Sequence, residues 1–392
     1  MNSINLHTIL MSIAATCGGL IIALIAAEVA VRLIQPILMP QFSVEENGTV
    51  LRPDDAFGFI ITPGSDTHDA WGFKNQLVPT TTDIVAIGDS HTYGTYGAGT
   101  DWPTFLEKSS GRDVYNLSVW GYGPVEYLGL VPRALSLHPH VLVIAVYLGN
   151  DVFNAYDAAY HRAAWTALRD SSFVDAAPVD SSTFKETHIA FRGLRDFLRE
   201  RVAIYRLLGD GSRLLRERIG LASPRTVGTH DWATTDPDAS LIFDEMPPVA
   251  TKFWPASRIK GVDLSTPEVA EGLAVTKRAF MAMKEMADKQ GVPILFAFIP
   301  EKEEVYAPLV AQAGLSNAAF DASVEHEVRL RSELADFCSA RHLYCIDMLP
   351  GLQASVVSGD AVYRFHWDEH PAPDGYAAYA ALIQDALSRF SL

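Results

Sequence analysis

Residues 83–94, "DIVAIGDSHTYG", combine an apolar run with a glycine turn and a serine. The run at 85–87 is continuous rather than alternating, which is typical of a parallel strand covered on both faces. Gly88 permits a sharp turn, and Ser90 follows at the carboxyl end of the strand, where open α/β sheets bind their ligands. A simpler interpretation also stands, in which Asp89 or Ser90 only caps the helix that follows.

Outward from this stretch, apolar runs of strand length alternate with segments of helix length. The predicted strands cover residues 83–88, 114–119, 141–149, 293–300 and 343–348. The predicted helices cover residues 102–110, 124–137, 266–290, 318–341 and 374–390. This alternation predicts a three-layer α/β/α fold, with a mostly parallel five-stranded sheet between two layers of helices, as in flavodoxin-like proteins.

The composition excludes several classes of function. The 392-residue chain has a formal net charge of −16 and no basic run, which argues against nucleic acid and against an anionic membrane surface as partners. Cys338 and Cys345 flank a predicted helix-to-strand turn, where they either form a disulfide in an oxidising compartment or stay reduced. No P-loop, dinucleotide fingerprint or metal-ligand spacing occurs, so neither a metal nor an organic cofactor is implied.

The N-terminal segment predicts a membrane anchor. Residues 8–27, "TILMSIAATCGGLIIALIAA", carry no charge, and a helix of this length spans about 30 Å. No lysine or arginine precedes the run and no small-residue cleavage site follows it, so a retained anchor is favoured over a cleaved signal peptide. We therefore predict a transmembrane helix over residues 8–34 in the lipid bilayer. Arg32 alone is too little charge bias to set its orientation.

The rest of the chain divides into a lead-in and a domain with an insertion. Residues 37–80 are rich in proline, glycine and aspartate, which predicts a linker and irregular lead-in loops. Residues 81–392 hold the predicted α/β domain. Within it, residues 152–262 break the alternation, and no strand of the main sheet is predicted there. This insertion is either a lid over the carboxyl edge of the sheet or a structural excursion without substrate contact.

Four stretches place reactive groups after strands or before the last helix. They are "GDS" at 88–90, "NLSVWGYGP" with Gly121, "VYLGNDV" with Asn150, and "FHWDEHPAPDGYAAYA" with Asp368 and His370. Because the carboxyl ends of neighbouring parallel strands meet at one crevice, we expect these groups to converge there.

Acyl transfer needs this set of groups. The hydroxyl of Ser90 becomes nucleophilic when a neutral histidine, His370, takes its proton. A carboxylate, that of Asp368, would hold this histidine in one tautomer. The oxyanion of the tetrahedral intermediate needs fixed donors, which the Ser90 amide, the Gly121 amide and the Asn150 side chain would supply.

Several neighbouring residues have competing interpretations. Glu369 is an alternative orienter of the histidine, and His366 is an alternative base whose place before an aromatic favours a packed role. His91 adjoins the serine, but neighbours along the chain rarely point at each other. Asp151 is predicted to brace a loop rather than react. Four aromatic residues either stack on sugar rings or belong to the core: Trp102, Trp120, Tyr122 and Trp367.

In order and local spelling, the four stretches resemble the SGNH hydrolase superfamily, also called the GDSL esterases. The resemblance extends over residues 54–390 and implies an SGNH fold and a serine esterase. The residues that match the family's catalytic and oxyanion positions are Ser90, Gly121, Asn150, Asp368 and His370. The last block reads D-x-H here, where the family usually has D-x-x-H.

A looser resemblance connects the chain with membrane-attached SGNH proteins, including the alginate O-acetyltransferase-like group. It lies in the anchor, in "GFKN" before the GDS block and in "FIPEKEEVYAPL" after the fourth strand. It implies an acyl ester, most often acetyl, on a carbohydrate outside the cytoplasm. The predicted function is a membrane-anchored periplasmic esterase that cleaves O-acetyl esters of a cell-envelope polysaccharide. Two alternatives are a polysaccharide O-acetyltransferase with the same site and a catalytically silent glycan-binding or scaffold subunit.

Overall fold

The computed structural model describes most of the chain from residue 51 onward. The described residues are 51–64, 68–94, 99–174, 241–246, 249–365 and 367–392, with scattered positions between 15 and 27. The chain divides into two units, residues 1–50 with 187–229 and residues 51–186 with 230–392. Nearly all of the first unit lies outside the described residues, and the strands and helices with assigned bounds belong to the second.

The predicted transmembrane helix over residues 8–34 lies outside the described residues, apart from those scattered positions. Within the described part of the chain, no helix has both the length and the apolar character needed to cross a bilayer. Residues 175–240 of the predicted insertion also lie outside the described residues.

The described elements alternate between strands and helices, as predicted. The strands are β1 Leu51–Asp54, β2 Gly58–Ile61, β3 Ile84–Ile87, β4 Val114–Asn116, β5 Val141–Tyr147, β6 Leu241–Phe243, β7 Thr251–Phe253, β8 Ile294–Ile299 and β9 Tyr344–Asp347. The helices are α1 Ser90–Tyr93, α2 Trp102–Ser110, α3 Pro124–Leu135, α4 Asp151–His161, α5 Pro255–Val262, α6 Pro267–Asp288, α7 Lys302–Ala313, α8 Ala318–Ala340, α9 Leu349–Ser358 and α10 Pro373–Arg389. A 3-10 helix, Ala163–Leu168, follows α4.

Helix ends follow local sequence signals. The Oδ1 atom of Asp101 accepts a hydrogen bond from the Thr104 amide at 2.9 Å and caps α2, which ends at Gly111 with φ +68°. At the start of α8, the Oδ1 atom of Asn317 accepts from the Phe320 amide at 2.9 Å. These caps explain why the sequence places the ends of α2 and α8 to within a residue.

The main sheet is parallel throughout, in the order β4-β3-β5-β8-β9. The chain first steps from β3 to β4 and then crosses back to β5, so the direction of winding reverses between β3 and β5. In doubly wound sheets this reversal opens a crevice at the carboxyl ends of the two strands. The predicted α/β fold with five parallel strands is confirmed.

Every residue of β3, β5 and β8 is buried, which explains their unbroken apolar runs. Alternate side chains enter two separate cores. One core contains α3, α4, α6 and the C-terminal half of α8, and the other contains α2, α7, α9 and α10. The sheet is therefore the middle of three layers, and only its ends are open to ligands.

The lead-in differs from the prediction. Residues 51–61, expected as irregular loops, form an antiparallel hairpin in which β1 pairs with β2. Asp54 holds the turn, because its Oδ1 atom accepts from the amides of Ala56 and Phe57 at 2.9 Å. Strands of four residues are too short for a periodic pattern to be distinguished from loop sequence. Four further helices of eight residues or more were not among the predicted elements: α4 and α5, which bound the insertion, and α7 and α9.

The described part of the 152–262 insertion contains all but the first residue of α4, the 3-10 helix, a small sheet and α5. The small sheet is the antiparallel pair β6–β7, and neither strand pairs with the main sheet. A disulfide joins Cys338, near the end of α8, to Cys345 in β9. Of the two alternatives left open for these cysteines, the structure has the bonded one.

Candidate active site

Ser90 is the first residue of α1 and lies directly beyond the central strand β3. The turn before it is too tight for a side chain, because a Cβ atom at Gly88 would lie 2.1 Å from the Thr92 Oγ1 atom. The cap of α1 is made by Asp89, whose Oδ1 atom accepts from the His91 amide at 2.9 Å. Ser90 donates from its Oγ atom to Asp89 Oδ2 at 3.3 Å and stays half-buried. Asp89 therefore caps α1, and helix capping does not explain why residue 90 is a serine.

Asp368 and His370 form a pair on the loop that precedes α10. The Asp368 Oδ1 atom lies 2.5 Å from His370 Nδ1 and also accepts from the His370 backbone amide at 3.1 Å. An aspartate readily binds the backbone two residues on, and this turn brings the ring nitrogen to the same oxygen. The D-x-H spacing thus achieves the contact that orients an imidazole.

The ring of His370 lies beside the helix that starts with Ser90. Its centroid is 4.9 Å from that of His91, the residue after the serine. The His370 Nε2 atom is buried and has no hydrogen-bond partner among the described residues. The structure therefore joins Asp368 to His370 and places the ring of His370 beside the helix that begins with Ser90.

His91 itself is not suited to proton transfer. It is 1% exposed, and its ring stacks on that of Tyr147 with centroids 3.8 Å apart. Burial and the nearby His370 lower the pKa of His91 well below its usual value, so this ring stays neutral. Its role is to pack between the sheet and the second histidine.

The second and third predicted stretches reach the same edge of the sheet. The β3–β4 ladder continues past the strand ends, since the Leu117 amide donates to Ala86 O at 2.8 Å and the Val119 amide donates to Gly88 O at 3.3 Å. Gly121 follows on this path with φ +73°, a backbone conformation that L-residues rarely adopt. A Cβ atom there would meet no protein atom within 4 Å, so it is the backbone conformation that requires glycine.

Asn150 follows β5 and takes the N-cap position of α4 without capping it by its side chain. Its Oδ1 atom is buried and lacks a partner among the described residues. Helix α5 packs closely on this turn, because a Cβ atom at Gly261 would lie 2.0 Å from Gly149 O. The neighbouring Asp151 braces the turn, as predicted, since its Oδ2 atom accepts from the Tyr147 amide at 3.0 Å.

The electrostatics of the site favour a protonated His370. Burial lowers the pKa of His370, but the adjoining Asp368 carboxylate, its hydrogen bond, Glu369 and Asp89 together raise the pKa to about 9. Burial also raises the pKa of Asp89 to about 6. The charges around His370 thus favour its protonated form at neutral pH.

Two basic residues near this pair escaped the sequence analysis. Arg258 of α5 donates from Nη2 to Glu369 Oε2 at 2.6 Å, so Glu369 is paired with Arg258 and it is Asp368 that contacts the histidine. Lys302 of α7 donates from Nζ to the Asp368 carbonyl at 2.9 Å. Burial lowers the pKa of Lys302 to about 8, against the opposing charge of the adjacent Glu303.

The sequence contains a signal that could have identified Lys302 and none that could have identified Arg258. The run "EKEE" places four charged residues directly after a buried strand, an unusual pattern that could have drawn attention to Lys302. Nothing around Arg258 in the sequence indicates a partner. His366, the alternative base, lies outside the described residues.

The aromatic residues near the crevice divide into two groups. Trp102 and Tyr122 are buried in the core, and their polar atoms donate to Thr92 Oγ1 at 3.2 Å and to the carbonyl of Phe59. Trp120 and Trp367 are half-buried. The core interpretation is confirmed for the first two.

Three residues of the 364–370 loop lie close enough together to resemble a metal-binding cluster. One ligand atom each from Asp368, Glu369 and His370 lies within 4.8 Å of the others. Within the described residues, however, Asp368 is paired with His370 and Glu369 with Arg258. Both carboxylates are therefore engaged by cationic or imidazole groups of the protein.

Comparisons with known proteins give only distant similarity. No family model matches the chain, and no curated protein matches it. Among solved structures, the acetyl xylan esterase AlAXEase is similar with a TM-score of 0.37 and 12% identity over 78% of this chain and 99% of its own.

Two further solved structures are similar at the same level. A protein assigned to the G-D-S-L lipolytic family from Desulfitobacterium hafniense DCB-2 has a TM-score of 0.35 and 13% identity over 78% of this chain and 100% of its own. A GDSL-like lipase from Bacteroides thetaiotaomicron VPI-5482 has a TM-score of 0.33 and 11% identity over 79% of this chain and 88% of its own. Similarity this low assigns neither a family nor an activity, so the functional conclusion depends on the side-chain geometry.

Proposed function

We propose that this chain is an SGNH-type serine esterase that cleaves acyl esters through an acyl-serine intermediate. The observation that carries the proposal is the state of His370. Its Nδ1 atom is held by Asp368, while its buried Nε2 atom has no partner among the described residues and its ring lies beside the helix of Ser90. This arrangement supports the assignment of His370 as the general base that activates Ser90.

The proposed reaction proceeds in two steps. His370 Nε2 takes the Ser90 hydroxyl proton as Oγ attacks the acyl carbonyl, and the imidazolium then returns that proton to the departing alkoxide, which leaves as an alcohol. Water, deprotonated by the same nitrogen, next attacks the acyl-serine; the bond between the acyl carbon and Ser90 Oγ then breaks, the imidazolium returns the proton to Oγ, and the carboxylic acid leaves. In both steps the amides of Ser90 and Gly121 and the side chain of Asn150 would bind the oxyanion, each donor contributing about 10²-fold or more to kcat.

We further propose that the substrate is an O-acetyl ester on a cell-envelope polysaccharide, as the sequence resemblance implies. We also propose that residues 8–34 span a membrane and that the α/β domain faces the periplasm. The Cys338–Cys345 disulfide supports an oxidising compartment. Fractionation of cells that express the full chain tests the location, and recovery in the soluble fraction would contradict it.

Intact-mass detection of acylated Ser90 tests the proposed function. The full chain in detergent is incubated with candidate acyl donors in turn, quenched in acid and digested to locate the added mass. We expect an acetyl adduct on Ser90. Labelling by an organophosphonate at Ser90 serves as a check on the nucleophile, and failure of both would favour a catalytically silent subunit. Formation of acetylated glycan in place of acetate, once an acceptor polysaccharide is added, would identify a transferase.

The pH dependence of turnover follows from the charges around His370. Only the neutral imidazole accepts the serine proton, and the pKa of His370 is raised to about 9 in the folded protein. We therefore expect kcat/KM for a chromogenic acetyl ester to rise from pH 6, to reach half of its plateau near pH 9 and to level off about one to two pH units above that. Rates are corrected with a Ser90→Ala blank, since such esters hydrolyse spontaneously in alkali. A profile already flat from pH 6 upward would contradict this assignment.

A further inference from the structure

Residues 251–258 of the insertion, here called the strap, run alongside the loop of residues 364–370. This loop carries Asp368 and His370, here called the acid–base pair. The strap comprises β7, one intervening residue and the start of α5. At its beginning, the Thr251 Oγ1 atom donates to the Arg364 carbonyl at 2.9 Å. Contact between strap and loop therefore starts at the first residue of each.

Further along, the strap contacts the loop through aromatic rings. The Lys252 ammonium lies 4.7 Å from the ring centroid of Phe365 and 5.4 Å from that of Trp367. The indole of Trp254 stacks on that of Trp367 with centroids 5.3 Å apart and planes 14° apart. Successive contacts along the strap therefore lie closer, in sequence, to Asp368 and His370.

The last contact is the ion pair between Arg258 and Glu369. Their side chains are 11% and 18% exposed, and the Nη2–Oε2 distance is 2.6 Å. Arg258 holds the pKa of Glu369 at about 2 in spite of the burial that would raise it, so Glu369 is ionised. Glu369 lies between Asp368 and His370 in the chain. The strap is therefore bound to the loop at the residue between the two members of the proposed acid–base pair.

An unpaired Glu369 would disturb this centre. A buried carboxylate without a cation is costly, and the nearest cationic alternative is the imidazolium of His370. Asp368 would then have a competitor for the ring nitrogen that it orients. Neutralisation by Arg258 removes that competition and leaves Asp368 as the single orienting carboxylate.

We propose that Arg258 is a positioning residue, which fixes the loop of the acid–base pair through Glu369 and sets the charge around the imidazole. The inference rests on the proposed function for its kinetic consequence, although the contacts themselves do not. The charged groups that face His370 are Asp368 and Glu369 on its own loop, Asp89 and the neutral His91 beyond β3, Arg258 on α5, and Lys302 on α7 through the Asp368 carbonyl.

The test is Arg258→Gln in the full chain, with the pH profile of kcat as the main readout. We expect kcat on the alkaline plateau to fall about tenfold to a hundredfold, as for a small misplacement of catalytic groups. The midpoint of the rising limb should move up by about one pH unit, because the charge of Glu369 is no longer neutralised. Glu369→Gln should move the midpoint in the opposite direction.

Arg162→Gln is the matched control. Arg162 forms an ion pair of similar burial with Glu126, and its side chain also donates to the Ala56 carbonyl in the β1–β2 hairpin, not to the 364–370 loop. We expect this variant to lose thermal stability while keeping kcat and the pH midpoint. If Arg258→Gln behaves like this control, Arg258 is only structural and the proposal is wrong.

One measurement separates this proposal from the proposed function, and a double variant tests the pairing itself. NMR titration of the His370 ring reports its pKa directly in the wild type and in Arg258→Gln, whether or not the protein turns over an ester. An unchanged titration midpoint overturns the positioning role, and an upward change supports it. The double variant Arg258→Gln/Glu369→Gln should regain part of the lost kcat, since it removes both charges together.

Discussion

If the proposed function is right, replacement of Ser90 by alanine is expected to abolish ester hydrolysis, with a fall in kcat of about 10⁶-fold, as for the nucleophile of a serine protease. The turn at Gly88 presents the hydroxyl of Ser90 at the end of β3. The fold should hardly change. The Ser90 side chain makes a hydrogen bond of 3.3 Å to Asp89, whereas the cap of α1 is made by Asp89 itself.

The measurement is kcat/KM for a chromogenic acetyl ester together with the melting temperature. Ser358→Ala is the control, since that hydroxyl lies at the end of α9 and bonds to Ser355 O at 2.9 Å. Both variants should melt within a few degrees of the wild type. Undiminished turnover by Ser90→Ala would remove the basis of the proposed function.

Asp368→Asn should have the second largest effect, a fall in kcat of about 10⁴-fold. The Asp368 Oδ1 atom accepts from both the amide and the Nδ1–H of His370, which fixes the tautomer that leaves Nε2 free to accept a proton. An asparagine can present its amide NH₂ to Nδ1 and so stabilise the opposite tautomer. The backbone turn keeps an acceptor, so folding should be retained.

Glu369→Gln distinguishes the orienting role from simple negative charge. This carboxylate adjoins the same histidine but is bound by Arg258, so its loss should reduce plateau kcat far less than the loss of Asp368. The assay is the full pH profile of both variants under one set of conditions. Equal losses of kcat in the two variants, or a larger loss in Glu369→Gln, would show that Asp368 is not the carboxylate that orients His370.

The layers and the position of the serine follow from local sequence. The run at 141–147 is apolar at every position because β5 is buried on both faces, and this pattern requires no knowledge of the neighbouring strands. Caps such as Asp101 and Asn317 act within a few residues and mark the ends of α2 and α8. The hairpin at 51–61 was missed, since strands of four residues carry too little periodicity.

Part of the site could also be anticipated. Ser90 and Asn150 each follow a central strand, and parallel strands end at a common edge, so their approach follows from topology. The contact between Asp368 and His370 depends on a two-residue turn, which the D-x-H spacing allows but does not require. The disulfide likewise needed the geometry of α8 and β9 to decide between two open alternatives.

The sequence by itself determined the buried strands, the helix caps and the set of reactive side chains. Each of these can be recognised from residues that are only a few positions apart. Only the tertiary structure decided which carboxylate contacts His370 and which cation neutralises the other. Arg258 and Glu369 are 111 positions apart, and their contact exists because the strap and the 364–370 loop fold against each other. Pairing over such a separation depends on the path of the whole chain, which no local pattern of residue types records.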